Sequence, residues 1–394
     1  MSTPQRDSLA HASLSVEPPC RVEFGAGSVA RLPELIASVG RQRAFVVTDR
    51  GLRAAGVVER VLKILDSAGV EYAVYDEVAP NPSTGNVDAG AAKARAFGPA
   101  AVVALGGGSV LDAAKGISLL VGNPDAVAAD ADHLWDAADG LPLVAIPTTS
   151  GTGAETNGFG VIEDAEAHRK VYIGHPSVKP RIALLDPELT LGLPGPATAA
   201  TGIDALVHGI ESLASRGANP FSVAYATQAV AMVSRALPLA YRDGADLEAR
   251  AELMMGAHLA GQALTLSGLG LVHGIGHSLT AHTGTPHGVA LAAVLEEVME
   301  FTAPAAADAY ERAGRAMRLA TPADGDWARA CVAAVRELSG ALDIKRPLVA
   351  LGADRAMLPS IAAGAVADAV TKNAPRLPGE ADVLEILGRT YGGG

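Results

Sequence analysis

The sequence predicts an α/β N-terminal domain on a doubly wound parallel sheet, followed by an all-α domain. Three observations carry this. Short β-rich apolar runs alternate with helix-patterned runs, the alternation stops near residue 190, and beyond it the chain is Ala- and Leu-rich at helical spacing without a convincing strand. With 394 residues, 49% of them apolar and 19% charged, the chain is long enough for more than one domain and has the composition of a globular protein.

Taken in order, residues 1–20 are polar, contain Pro18 and Pro19, and read as a flexible leader. RAFVVTD (43–49) is a β-rich run closing on an acid, and GLRAAGVVERVLKILDSAG places Leu and Val at helical spacing. EYAVYDEV is strand-like, GNVDAGAAKARAFG helical, and AAVVALGGG an apolar strand stopped by glycines. LPLVAIPTT and PRIALLDPE supply further strands, the second closing the alternation. Strands alternating with helices imply βαβ units and therefore parallel pairing. The expected division is 21–190 for the α/β domain and 191–394 for the helical one, with the glycine-rich terminus a frayed end.

The formal charge of -12 repels polyphosphate, which argues against nucleic acid as the main partner. Two cysteines, Cys20 and Cys331, build neither a disulfide framework nor a cysteine metal cluster, and favour a reducing compartment. No stretch approaches the roughly 20 apolar residues that span a bilayer, and the N-terminus lacks an apolar signal region. The expectation is a soluble cytoplasmic protein without a membrane partner.

Two glycine loops invite a phosphate-binding reading. Gly25, Gly27 and Ala30 match G-x-G-x-x-A, but the preceding RVEF is short and polar for a central strand, so the loop is read as a turn opening a helix. Gly106, Gly107, Gly108 and Ser109 sit between the apolar strand and the helix VLDAAKGISLL. Missing Cβ atoms and the positive end of a helix suit a diphosphate, and one glycine would suffice for a mere turn. No Gly-Lys-Ser/Thr follows, so ATP hydrolysis has no support. A third loop, IPTTSGTGAETN (146–157), follows a strand and brings Thr148, Thr149 and Thr152 to the strand ends where ligand crevices form.

Asp204 and His208 stand at i and i+4 in a helical segment and share one face. His273 and His277 repeat that spacing, His287 follows ten residues later, and His282 falls in the same stretch. His11, His133, His168 and His175 are read as ordinary histidines. A carboxylate with several neutral imidazoles suits Fe²⁺ or Zn²⁺, whereas Mg²⁺ and Ca²⁺ prefer oxygen shells. HGIGH lacks the glutamate of H-E-x-x-H, which disfavours a zinc protease.

Over residues 22 to about 320 the sequence resembles the iron-containing (group III) alcohol dehydrogenase family of the dehydroquinate synthase-like superfamily. The resemblance is carried by NPSTGNVDAG, GGGSVLDAAKGI, IPTTSGTGAETN, LLDPELT, TGIDALVHGIE and GLVHGIGHSLTAHTGTPHG. It implies a dinucleotide-binding α/β domain, a helical metal domain, and an NAD(H)-dependent interconversion of a small primary alcohol and its aldehyde, in a homodimer or higher homo-oligomer. By motif, Asp204, His208, His273 and His287 are implied as ligands of one divalent ion, iron before zinc, and His277 as a proton relay. Gly107, Gly108 and Ser109 would cradle the pyrophosphate, Thr148, Thr149 and Thr152 would line the cofactor cleft, and Asn81, Val161 and Lys170 would add contacts. Asp49 falls where the family's carboxylate takes the adenosine ribose hydroxyls, which favours NAD over NADP. The chain departs from the family at HPSVKP (175–180) and around Phe159, on the substrate side. Two alternatives stay open: a dehydroquinate synthase-like NAD/metal lyase, for which no Lys/Arg cluster is found at the metal motifs, and a catalytically silent structural homologue.

Overall fold

The computed structural model describes residues 16–17, 19–164 and 169–392. Most of the leader, His11, His168 and the last two glycines lie outside them. The N-terminal part contains β1 (Arg21–Phe24), α1 (Leu32–Ser38), β2 (Arg43–Val47), α2 (Arg50–Ala54), α3 (Val57–Ser67), β3 (Glu71–Tyr75), α4 (Thr84–Phe97), β4 (Ala101–Gly106), α5 (Gly108–Gly122) and β5 (Leu143–Pro147). A hairpin, β6 (Phe159–Asp164) and β7 (Arg169–Gly174), and the strand β8 (Ile182–Leu185) complete it. Helices then follow without a strand: α6 (Gly195–Ala214), α7 (Pro220–Arg242), α8 (Leu247–Ser267), α9 (Leu271–Thr283), α10 (His287–Thr302), α11 (Ala307–Ala316), α12 (Trp327–Ala341), α13 (Leu358–Ala367) and α14 (Glu380–Thr390). No helix is long and apolar enough to cross a membrane among the described residues.

The six-stranded sheet has the order β1-β8-β5-β4-β2-β3 and every pairing in it is parallel. Its inner strands β2, β4, β5 and β8 are apolar on both faces because helices cover both. Ala44 and Val46 of β2, with Ala101, Val103 and Leu105 of β4, pack on the α1/α3 side, while Phe45, Val47, Val102 and Ala104 pack on the α4/α5 side. From β2 the chain builds outward to β3, then returns to add β4 on the opposite flank. The loops leaving β2 and β4 therefore diverge and open a crevice at their carboxyl ends, the usual ligand position in an open α/β sheet.

RVEF forms the edge strand β1, paired only with β8, which accommodates its short and polar character. The loop after it is a turn held from within. The buried Asp186 carboxylate accepts from Gly27 N at 3.1 Å and Val29 N at 3.0 Å, filling with a protein anion the place a phosphate would need. Gly27, at φ 74°, adopts a left-handed conformation that favours glycine. Asp186→Ala leaves these N–H groups without their acceptor and is expected to destabilise the protein by about 2–3 kcal/mol. Thermal melting checks this, and NADH affinity, followed by nucleotide fluorescence, is expected to stay at the wild-type value.

The β6–β7 hairpin is not anticipated by the sequence reading. Its backbone lies so close to α5 that a Cβ on Gly160 would stand 2.7 Å from Asp112 O. Val161 N donates to Asp112 Oδ2 at 3.1 Å, and the buried Lys115 Nζ donates to Asn157 Oδ1 at 2.8 Å and Phe159 O at 2.5 Å. These bonds fix the hairpin over the start of α5, where it closes one side of the site.

Candidate active site and metal centre

Two cavities meet at the N-terminus of α5. The larger, about 910 Å³, is lined by Asp49, Gly107, Gly108, Ser109, Thr148 and Thr149 among others and lies at the switch point between β2 and β4. The second, about 440 Å³, shares Gly108 and Ser109 and continues to Asn81, Thr152, Val161, Lys170, Asp204, His208, His273, His277 and His287. All fifteen residues singled out in the sequence thus line one continuous cleft. Thr152 and the Asn81, Val161 and Lys170 group fall on the helical side of it.

Local chemistry explains the positions. Gly107 is the N-cap of α5 and no side chain caps that helix start, so its positive end faces the cleft. Gly108 is required by packing, since a Cβ there would stand 2.6 Å from Thr152 Cγ2. Ser109 Oγ accepts from Asn81 N at 3.3 Å, tying the loop that carries Asn81 to the first turn of α5. Asp49 N-caps α2 through Leu52 N at 2.9 Å, which holds its carboxylate at the cleft edge.

At the helical end α6, α9 and the first residue of α10 converge. His208 Nε2, His273 Nε2 and His287 Nε2 lie 3.2, 3.4 and 3.6 Å from a single oxygen, Asp204 Oδ1. Two donors each bound at ~2.1 Å to a tetrahedral ion lie roughly 3.4 Å apart, so these separations are those of ligand pairs. Asp204 Oδ1 and His273 Nε2 are buried without a hydrogen-bond partner. Asp204, His208 and His273 form a group that could hold a metal ion. An oxygen donor with nitrogen donors, left unsatisfied in the protein itself, fits a divalent transition ion.

At His208, His287 and Asp204 the electrostatics agree with that fit. Burial lowers the His208 pKa to about 3, and enclosure within the cleft lowers that of His287, so both rings are neutral donors near pH 7. Burial also works against charge on His273, but the Asp204 carboxylate beside it and its bond to Glu211 carry it up to about 9, so a bound ion takes the place of the Nε2 proton. Burial likewise opposes the Asp204 carboxylate, yet attraction to the neighbouring His208, His273 and His287 rings holds its pKa well below the usual range.

Sequence reasoning missed three supporting groups. Glu211 Oε2 sits 2.7 Å from His273 Nδ1, and the same carboxylate accepts from Gly270 N and Val272 N at the start of α9. Its signal was available, because Asp204, His208 and Glu211 fall at i, i+4 and i+7 of one helix. Asp368 Oδ2 lies 2.9 Å from His277 Nδ1 across 91 residues, and nothing in AGAVADAV distinguished it. His258 is buried and bonded to Glu155 Oε1 at 2.9 Å, joining α8 to the 154–156 turn outside the cavities. His282 bonds Ser360 Oγ and Ser278 O, His175 caps its own turn through Ser177 N, and His133 is exposed, so these three are structural.

A parallel-sheet cleft that opens onto a carboxylate–imidazole cluster in a helical region is the arrangement of an enzyme that pairs a dinucleotide with a metal ion. The chain belongs to the iron-containing alcohol dehydrogenase family: the family model for iron-containing alcohol dehydrogenase matches residues 19–187 and that for the family's C-terminal region matches residues 198–391. The relative named "Probable alcohol dehydrogenase EutG", from Escherichia coli (strain K12), is 38% identical over 352 residues, 89% of this chain and 88% of its own. A crystal structure of 1,3-propanediol oxidoreductase superposes with a TM-score of 0.90 at 32% identity, covering 95% of this chain and 98% of the other. The sulfoacetaldehyde reductase of Bifidobacterium kashiwanohense, solved in complex with NAD+, gives a TM-score of 0.88 at 26% identity over 97% and 99% of the two chains. Relatives that are alcohol dehydrogenases and aldehyde reductases support the oxidoreductase over the lyase alternative.

Proposed function

We propose that the protein is a metal-dependent NAD(H) oxidoreductase that interconverts a small primary alcohol and its aldehyde, with aldehyde, NADH and H⁺ on one side and alcohol and NAD⁺ on the other. The observation that carries this reading is the convergence of three imidazole Nε2 atoms on Asp204 Oδ1 at one end of a cleft whose other end is the uncapped start of α5. Asp204, His208, His273 and His287 hold one divalent ion, iron first and zinc second. When bound, the ion supplies a Lewis acid for the substrate oxygen and the nicotinamide supplies or takes the hydride.

The chain's own residues do the rest. Gly107, Gly108 and Ser109 present the α5 terminus to the pyrophosphate. Thr148, Thr149 and Thr152 line the nucleotide path, with Asn81, Val161 and Lys170 beside it, and the Asp49 carboxylate takes ribose hydroxyls and repels a 2′-phosphate. Glu211 keeps the proton of His273 on Nδ1, leaving Nε2 with its lone pair inward. Asp368 holds His277 by Nδ1, so that Nε2 is the nitrogen available to move a proton to or from the substrate oxygen.

Residues 21–190 serve as the cofactor domain and 191–394 as the metal and catalytic domain, a division supported by the two family-model spans. The same reading has the enzyme as a homodimer in the cytoplasm. Its two cysteines are free, and burial raises both thiols to about 11, in keeping with a protein that does not rely on thiol chemistry.

The test is NADH oxidation by short-chain aldehydes after reconstitution with Fe²⁺ or Zn²⁺. Turnover is expected with either ion, to be greater with NADH than with NADPH, and to disappear on chelation. Full activity after metal removal, verified by elemental analysis, would overturn the reading.

A further inference from the structure

We propose that Phe159 and Tyr172 form an aromatic wall of the substrate pocket, so that aldehydes and primary alcohols carrying an aromatic ring on a short tail are favoured over saturated ones of the same carbon number. The inference deepens the oxidoreductase reading and rests on it.

The two faces of the β6–β7 hairpin are used differently, because side chains alternate along a strand. Ile162, Val171 and Ile173 turn to α5 and join the core built on Val110, Leu111 and Ile117. Phe159, Val161, Lys170 and Tyr172 alternate with them and line the 440 Å³ cavity that contains the imidazole cluster. Phe159 and Tyr172 belong to no core cluster among the described residues, and their ring centroids lie 6.1 Å apart at an interplanar angle of 58°. The edge of Trp135, 43% exposed, continues that side outward: a Cβ on Gly174, the strand partner of Phe159, would stand 2.8 Å from Trp135 Cη2 and 2.9 Å from Phe159 Cβ.

The rest of the pocket suits an apolar, planar tail. Leu264, Leu269 and Val370 supply aliphatic surface in the same lining. Polar side chains around the rings are already engaged: Asn157 Oδ1 receives Lys115 Nζ, Lys170 pairs with Glu163, Asp112 accepts from Val161 N, and Asp368 bonds His277. The wall is held from behind, since Phe159 O also receives Lys115 Nζ at 2.5 Å. Burial, aided by the Asp368 charge, raises the Tyr172 phenol to about 12, so its ring stays uncharged near pH 7. Tilted aromatic pairs gain from contact between ring edge and ring face, and a third ring extends such a pair where a saturated ring contributes only its area.

The experiment compares metal-loaded wild type, F159L, Y172L and Y172F on phenylacetaldehyde and cyclohexylacetaldehyde, with acetaldehyde as the reference. The two ring-bearing aldehydes have equal carbon number, and in both a methylene separates the ring from the carbonyl. The wild type is expected to favour the phenyl member about tenfold in kcat/KM. F159L and Y172L keep apolar volume without an aromatic ring and are expected to lower that ratio to about one, whereas Y172F keeps the ring and the preference. A wild-type ratio near one, a ratio that F159L and Y172L leave unchanged, or turnover of acetaldehyde alone overturns the inference by itself. So does a fall of both ring-bearing aldehydes in parallel with NADH affinity in F159L and Y172L, which would assign the rings to the cofactor. A wild-type protein that reduces none of the three aldehydes overturns the oxidoreductase reading and this inference with it.

Discussion

His273→Ala is expected to strip the protein of metal and of turnover together. His273 Nε2 is one of three buried cluster atoms without any hydrogen-bond partner, with Asp204 Oδ1 and His208 Nδ1, and its ring is stacked on His208 with centroids 4.7 Å apart. Alanine removes one of four donors and leaves Asp204 as a buried carboxylate facing a void. Glu211 at the same time loses the ring it holds. Metal content by elemental analysis is expected to fall below about a tenth of an ion per chain. Losing a Lewis acid worth several kcal/mol corresponds to roughly 10³-fold or more in kcat/KM. Glu211→Gln keeps all four donors and only weakens the support of His273, so a smaller loss of about 10–100-fold in metal affinity is expected. Retention of stoichiometric metal by His273→Ala would remove the cluster from consideration as the metal centre.

His277→Ala is expected to separate the two properties: full metal, little turnover. Although His277 lies one turn from His273 on α9, its Nδ1 is engaged by Asp368 rather than by Asp204. Its side chain is 25% exposed toward the cavity, against 1% for His273. General acid–base catalysis by a positioned side chain contributes about 10²–10⁴-fold, so a decrease in kcat of that size is expected with metal stoichiometry unchanged. Loss of the ion in parallel with activity would make His277 a ligand and leave the proton path without its carrier. Because His277 and His287 stack at 5.4 Å, the metal assay is the readout that tells their roles apart.

Both expectations depend on distinctions that helical spacing alone leaves open. Asp204 with His208, and His273 with His277, have the same i, i+4 relation, yet in the folded chain three imidazoles face Asp204 and the fourth faces Asp368. Which histidine turns to which carboxylate depends on how α6, α9 and α10 cross and on where the segment after α13 returns. Asp368 reaches His277 across 91 residues, and such a contact leaves no local pattern. Glu211 was more accessible to inspection, since it continues the Asp204–His208 face by one turn.

The α/β alternation, the change to helices and the glycine-stopped strand before α5 were local properties, readable because side-chain period and backbone chemistry act within a few residues. The hairpin of β6 and β7 was not, because its place is set by Lys115 and Asp112 on α5, contacts that leave no local pattern. The two glycine loops show the same division. Their sequences advertise the same turn, but the Asp186 side chain fills the first, while the second opens into the cleft between β2 and β4.

By itself, then, the amino-acid sequence determined the classes of element, the change of architecture near residue 190 and the residue types able to hold a cation and a dinucleotide. Tertiary structure decided which of those residues share a cavity, which carboxylate each imidazole meets, and that Phe159 and Tyr172 turn to the cleft rather than to the core. The physical reason is range: propensity and periodicity are written in neighbouring residues, whereas ligand geometry, desolvation and hydrogen-bond satisfaction arise only where distant segments pack.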